Sequence, residues 1–255
     1  MTEFLPVSST GHLILASAWM GLQGEAVKTF EVVIQAGALA AVLGLYRRQV
    51  AAMWHGLLGR DARGRRLLMA LGISFLPAAV VGVLLRKAIK AHLFGVWPVV
   101  WALAAGGAIM ILFDRWRAPS ERRPAKALDE VTWAEALLIG VAQCLALWPG
   151  TSRSMVTILA GVALGWPAAA AAEYSFLLAL PTLGAATLLD LAAEGRGLVQ
   201  SVGWPSMLCG YAAAGIVAAL AIRGFVQYLG HRGLAPFGWY RVALAGVLCL
   251  AAMMR

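Results

Sequence analysis

The 255-residue chain is 61% hydrophobic and only 13% charged, with a mean hydropathy of +0.79. A soluble domain holds roughly 45–50% apolar and about 25% charged residues, so this excess cannot be hidden in one aqueous core, and a polytopic helical membrane protein is the natural class. The net charge of +9 lies in short arginine blocks between apolar runs, not on a basic face with interleaved aromatics, which argues against a nucleic-acid partner.

The chain opens with TEFLPVSSTGHLIL, residues 2–15. No positive n-region precedes its apolar part, and Pro6, Ser8, Ser9, Thr10, Gly11 and His12 interrupt it, so a secretory signal is disfavoured. Two readings stay open. One is an N-cap and turn with a histidine at an interface. The other is a reactive packet. Ser8, Ser9 and Thr10 offer hydroxyls, and His12 exchanges protons near neutral pH. Glu3 can orient the histidine, take a proton or hold a divalent cation. A helix starting near Ser9–Thr10 would add free N–H groups for an anion.

Apolar runs long enough to span, or nearly span, a bilayer follow at 30–46, 67–85, 96–113, 174–191, 206–222 and 236–254. Two further stretches, 4–22 and 134–165, are shorter and broken, the second at WPGTSRS, residues 148–154. Lipid cannot satisfy the backbone groups such a break frees, so it must be buried in protein or line a wet cavity. Two re-entrant helical hairpins and about six full spans are therefore expected. Arg153 is costly at that depth unless it is paired or faces a cavity, and its fork matches a phosphate bidentately. Thr151, Ser152 and Ser154, with the N–H groups of the turn, can add donors around the same phosphate. The competing reading is a surface loop with its arginine in water. Cys144, Cys209 and Cys249 are scattered through apolar runs without CxxC or ligand spacing and read as small buried hydrophobes.

The two breaks resemble each other, FLPVSST against LWPGTSR, at an offset of 143 residues between Pro6 and Pro149. Glu31 answers Glu173 at 142, and the FG dipeptide at 94 answers that at 237 at 143. A near-constant offset argues for a duplicated unit. We read repeat one as 1–113, a linking loop as 114–133 and repeat two as 134–255. Three spans per unit invert the second copy, and in such folds the broken elements meet near the midplane and carry the site. Arg47, Arg48, Arg60, Arg63, Arg65 and Arg66 mark 47–66 as cytoplasmic. Alternation then puts the basic 114–133 and 223–235 loops inside and leaves few basic residues outside. Glu31, Gln35, Glu173, Asp190 and Arg241 lie near span ends, where snorkelling or capping is the expected role of most.

One element thus offers hydroxyls, a histidine and a carboxylate, and the other an arginine with more hydroxyls. That set suits hydrolysis of a phosphate ester or anhydride, and a site inside the bilayer implies a lipid-tailed substrate. A transporter or flippase for a phosphate-headed lipid or anion is the alternative, since broken helices in inverted repeats are common there. His12 beside Ser9 favours chemistry.

TEFLPVSSTGHLIL with KTFEVVIQAG, and QCLALWPGTSRS with AAEYSFLLALPT, closely resemble the undecaprenyl-diphosphate phosphatase family, the bacitracin-resistance proteins, over nearly the whole chain. The resemblance implies an integral membrane enzyme with inverted repeats and re-entrant helices. It would cleave undecaprenyl diphosphate to the monophosphate carrier and phosphate on the outer side of the bacterial plasma membrane, recycling the lipid carrier of cell-wall synthesis. It implies Ser9 as nucleophile, Glu3 as catalytic carboxylate or cation partner, His12 for proton transfers and Arg153 as diphosphate clamp. It also implies Mg²⁺ or Ca²⁺ and an ability to form homodimers. The family pattern has a further glutamate four residues before the position of Glu3; that position falls before Met1, as a start site placed too late would explain. Met155 stands where the family usually has a small residue.

Overall fold

The computed structural model describes residues 2–9, 11–13, 25–93, 95–116 and 126–253. Thr10 and the side chains of Glu31 and Asp190 lie outside the described residues. Every regular element among them is helical: α1 (Glu25–Leu45), α2 (Arg47–Leu57), α3 (Ala62–His92), α4 (Val96–Trp116), α5 (Trp133–Gln143), α6 (Arg153–Ala163), α7 (Ala168–Val202), α8 (Trp204–Leu229) and α9 (Ala235–Met253), with short 3₁₀ turns at Leu128–Glu130 and Cys144–Leu147.

Five helices are long and apolar enough to cross a bilayer, namely α3, α4, α7, α8 and α9. They contain five of the six expected spans. The remaining one, 30–46, falls in α1, whose described apolar part is Val32–Leu45. Large side chains such as Leu84, Leu189, Leu220 and Leu250 point outward from these helices, the surface expected of a protein solvated by hydrocarbon. The chain is an all-α polytopic membrane protein.

Local chemistry sets the helix ends. Asp61 caps α3 by accepting the Gly64 N–H at 2.9 Å. Thr132 and Glu135 form a capping box at the start of α5, the Glu135 carboxylate accepting the Thr132 N–H at 2.9 Å. The second polar motif does break its helix: α5 runs through the 3₁₀ turn into an irregular stretch at 148–152, and α6 begins at Arg153.

Packing brings distant segments together. α9 lies along α4, α1 packs between α7 and α8, and α3 packs on α2 and α5. The α4–α9 contact is backbone on backbone. A Cβ on Gly107 would meet the Gly238 carbonyl at 2.7 Å, and one on Gly238 would meet the Gly107 carbonyl at 2.7 Å, so only glycine permits this approach. Phe4, fully buried, sets its ring edge-on to Phe176 of α7 at 5.4 Å and so anchors the amino-terminal stretch in the core.

One expectation is corrected here. Arg241, read as a snorkelling or capping residue near a span end, is 0% exposed and sits between α9 and α4. It is among the largest fully buried side chains of the described molecule.

Candidate active site

The two polar motifs adopt the same turn. Among the described residues, Ser8 (φ 68°) and Ser152 (φ 72°) are the non-glycine residues with positive φ. Such backbone costs on the order of 1–3 kcal/mol and persists only where its surroundings over-determine it. Each serine then caps the helix that follows. Ser8 Oγ accepts the Gly11 N–H at 3.4 Å, and Ser152 Oγ accepts the Met155 N–H at 3.4 Å. The first helical N–H groups return to the cap carbonyls, His12 to Ser8 at 3.4 Å and Val156 to Ser152 at 3.2 Å. The caps are 144 residues apart, whereas the prolines are 143 apart, because the second turn is one residue longer between proline and cap. Ser9 therefore corresponds to Arg153: each is the first residue of its helix.

Arg241 ties the two turns together. Its Nη1 donates to the Pro6 carbonyl of the first turn at 3.4 Å and to the Thr151 carbonyl of the second at 3.0 Å. Nη2 donates to Gly150 at 3.0 Å and Ala102 at 2.9 Å, and Nε to Leu103 at 3.4 Å. A buried guanidinium needs its donors satisfied, and here carbonyl dipoles do so in place of a carboxylate. Gly106 leaves the room, since a Cβ there would strike Nη2. Ser154 adds a second tie, its Oγ donating to the Leu5 carbonyl at 3.0 Å.

Ser9 and Glu3 line one cavity of about 310 Å³ between α1 and α8. Gln35 is its other notable polar group, and Ile34, Ala38, Ala213 and Ala214 make the rest largely apolar. Arg153 feels the charge of Glu3. Its Nη1 donates to the Ser175 carbonyl of α7 at 2.8 Å, while among the described residues Nε and Nη2 are buried without a partner. Those two groups form one edge of the guanidinium, the edge that grips an oxyanion bidentately. Thr157 steadies the arrangement from below: its Oγ1 donates to the Arg153 carbonyl at 2.9 Å and accepts from Ser175 Oγ at 2.7 Å.

His12 is held at both ring nitrogens. Nδ1 lies 2.8 Å from the Ser8 carbonyl, which can only accept, so Nδ1 carries a proton. Nε2 lies 2.6 Å from the Tyr240 hydroxyl of α9, and the two rings run parallel with centroids 5.6 Å apart.

The structure thus brings Glu3 and Ser9 into one cavity, with Arg153 in the field of Glu3. The hydroxyls of Ser8 and Ser152 cap helices, Ser154 joins the turns, and Thr151 contributes its carbonyl to the Arg241 clasp. Ser9 is not among the partners of the His12 ring. Sequence reasoning passed over Arg241, Tyr240, Thr157 and Ser175 and gave Gln35 no site role. Arg241 carried the same signal as Arg153, a cation within an apolar run. Among the described residues no group of three or more His, Cys, Asp and Glu side chains could hold a metal ion. Among the described residues Glu3 is the one carboxylate lining the cavity.

Comparison with known proteins shows the family of the chain. An undecaprenyl-diphosphatase of Sorangium cellulosum is 52% identical over 249 residues, 97% of this chain and 81% of the relative. Proteins of the same name from Methylococcus capsulatus and Nitrosomonas europaea are 44% and 42% identical, each covering 99% of this chain and 90% of the relative. The family model described as bacitracin resistance protein BacA matches residues 1–247, and the chain belongs to that family.

Proposed function

We propose that this protein is a membrane phosphatase that hydrolyses undecaprenyl diphosphate to undecaprenyl phosphate and inorganic phosphate. The observation that carries the reading is the Nε–Nη2 edge of Arg153, buried without a partner among the described residues. A buried fork without an acceptor calls for one, and the terminal phosphate of a diphosphate has the matching oxygens. The apolar cleft between α1 and α8 suits the first isoprene units.

In the first step Ser9 Oγ attacks the terminal phosphorus. The Oγ–P bond forms, the bridging P–O bond breaks, and its electron pair leaves on the lipid monophosphate. Glu3, in the same cavity, takes the hydroxyl proton. Water then attacks the phosphoserine, its proton passing to His12; the P–Oγ bond breaks with its electron pair on Oγ, which takes back the proton held by Glu3 as inorganic phosphate departs. Arg153 steadies the charge of the transferring phosphoryl group throughout. A Mg²⁺ or Ca²⁺ ion would be held by one Glu3 oxygen and the substrate's own oxygens, as magnesium commonly is; it would neutralise charge on the diphosphate. Ser8, Thr151, Ser152 and Ser154 support the phosphate subsite through their turns, and Thr10, outside the described residues, is assigned to the same subsite from the sequence.

The two equivalent turns support an inverted repeat whose re-entrant elements meet near the midplane. The basic 47–66, 114–133 and 223–235 segments then face the cytoplasm of a bacterial plasma membrane, and the cleft opens to the outer side. A homodimer is part of the same reading.

Release of phosphate from a polyprenyl diphosphate by purified protein in detergent tests the proposal. No sealed compartment exists there, so release also separates hydrolysis from transport. Ser9→Ala should abolish release, and Arg153→Lys, which keeps the charge but not the fork, should lower it by about 10²-fold. Full activity of Ser9→Ala would remove Ser9 as the nucleophile.

A further inference from the structure

We infer that Tyr240 takes part in the reaction, fixing the tautomer and tilt of His12 and relaying the proton that His12 Nε2 exchanges. The inference rests on the assignment of proton transfer to His12 made above. A neutral imidazole has one N–H and one lone pair. The Ser8 carbonyl takes the Nδ1–H at 2.8 Å, which leaves the lone pair on Nε2. The Tyr240 hydroxyl stands 2.6 Å from that nitrogen and donates to it. Each partner demands the same tautomer, so the ring is held from both sides. The parallel tyrosine ring, at an interplanar angle of 8°, blocks rotation as well.

Neither partner is free to drift. Ser8 is the positive-φ cap of the first turn, with its neighbour Pro6 clasped by Arg241. Tyr240 precedes Arg241 on α9, so the guanidinium that clasps both turns also fixes the backbone that presents the phenol. Because the phenol occupies the one Nε2 lone pair, the proton of the water reaches Nε2 through it: the Tyr240 hydroxyl passes its own hydrogen to Nε2 and takes the proton of the water on its oxygen, with no heavy atom moving. The phenol therefore keeps Nε2, and not Nδ1, as the nitrogen that exchanges protons during turnover.

The test is a double-mutant cycle with a spectroscopic readout. Tyr240→Phe keeps the stacked ring and deletes the hydrogen bond. With a polyprenyl diphosphate in detergent, Tyr240→Phe should lower kcat about tenfold and leave KM and the unfolding temperature unchanged. In ¹⁵N spectra the His12 signal, assigned by its loss in His12→Gln, should change from a pure Nδ1–H tautomer to a mixture. The double variant should be no slower than His12→Gln alone. Wild-type kcat with an unchanged tautomer in Tyr240→Phe overturns the proposal, as does a further loss in the double variant. If His12→Gln alone is fully active, the assignment of His12 fails, and the proposed catalytic role of Tyr240 falls with it, whatever the tautomer.

Discussion

At the residue scale the site depends on where single polar groups find partners. Arg241 has no counter-charge, yet the geometry satisfies its fork with five backbone carbonyls drawn from α4 and both turns. Lysine keeps the charge but presents three donors on one compact nitrogen and cannot reach those five acceptors. Arg241→Lys should therefore let the turns drift, and a misplacement near 1 Å lowers turnover by about 10²-fold. Phosphate release and the unfolding temperature of the detergent-solubilised variant check this, with activity expected to fall far more than stability. Glu3, Ser9, His12 and Arg153 stood out in the sequence because polar side chains are costly in an apolar run. Arg241 and Tyr240 did not, because a cation and an aromatic at a span end already have an ordinary explanation. What distinguishes Arg241 is its set of partners at 6, 102–103 and 150–151, and those contacts exist only once the chain has folded.

At the element scale the helices themselves were legible. Apolar run length located five of the bilayer-length helices, and the Pro-Gly break placed the start of α6. The twinned turns were only half legible. Sequence alignment matched the prolines, whereas the backbone matches the caps one residue later, since Ser8 and Ser152 are the positions forced to positive φ. The contact between α4 and α9 was invisible, because a glycine in a membrane helix can serve packing or nothing at all. Gly107→Leu should pry these helices apart and destabilise the protein by about 1–3 kcal/mol. Gly246→Ala, on the same α9 with nothing within 4 Å of the added carbon, should be neutral or slightly stabilising. Thermal unfolding of both variants in one detergent provides the comparison.

At the scale of the whole molecule, basic loop segments gather through several contacts. Arg63 pairs with Asp129 at 3.7 Å, Lys126 with Glu135 at 2.5 Å, and Asp114 accepts the Ala235 N–H at 2.5 Å. The 47–66 segment, the linking segment and the α8–α9 connection are thereby fastened to the helix ends beside them. The cleft between α1 and α8 has a different consequence. The small side chains of Ala213 and Ala214 line it, so Ala214→Leu should narrow the proposed path of a prenyl chain. KM for a long polyprenyl diphosphate should rise severalfold while that for a short-chain analogue stays near wild type. Equal effects on both chain lengths would show that the cleft does not carry the tail.

The matched caps also bear on the origin of the chemistry. Ser9 and Arg153 each follow a positive-φ serine cap, so this part of the frame does not distinguish the proposed nucleophile from the proposed clamp. A homodimeric ancestor with two identical turns would have presented two serines or two arginines, and neither pair can both attack and hold a phosphate. Joining two copies in one polypeptide lets each station mutate independently, and the polarity of the site is then written wholly in side chains. Exchanging Ser9 and Arg153 would in effect turn the catalytic centre over while leaving its scaffold in place.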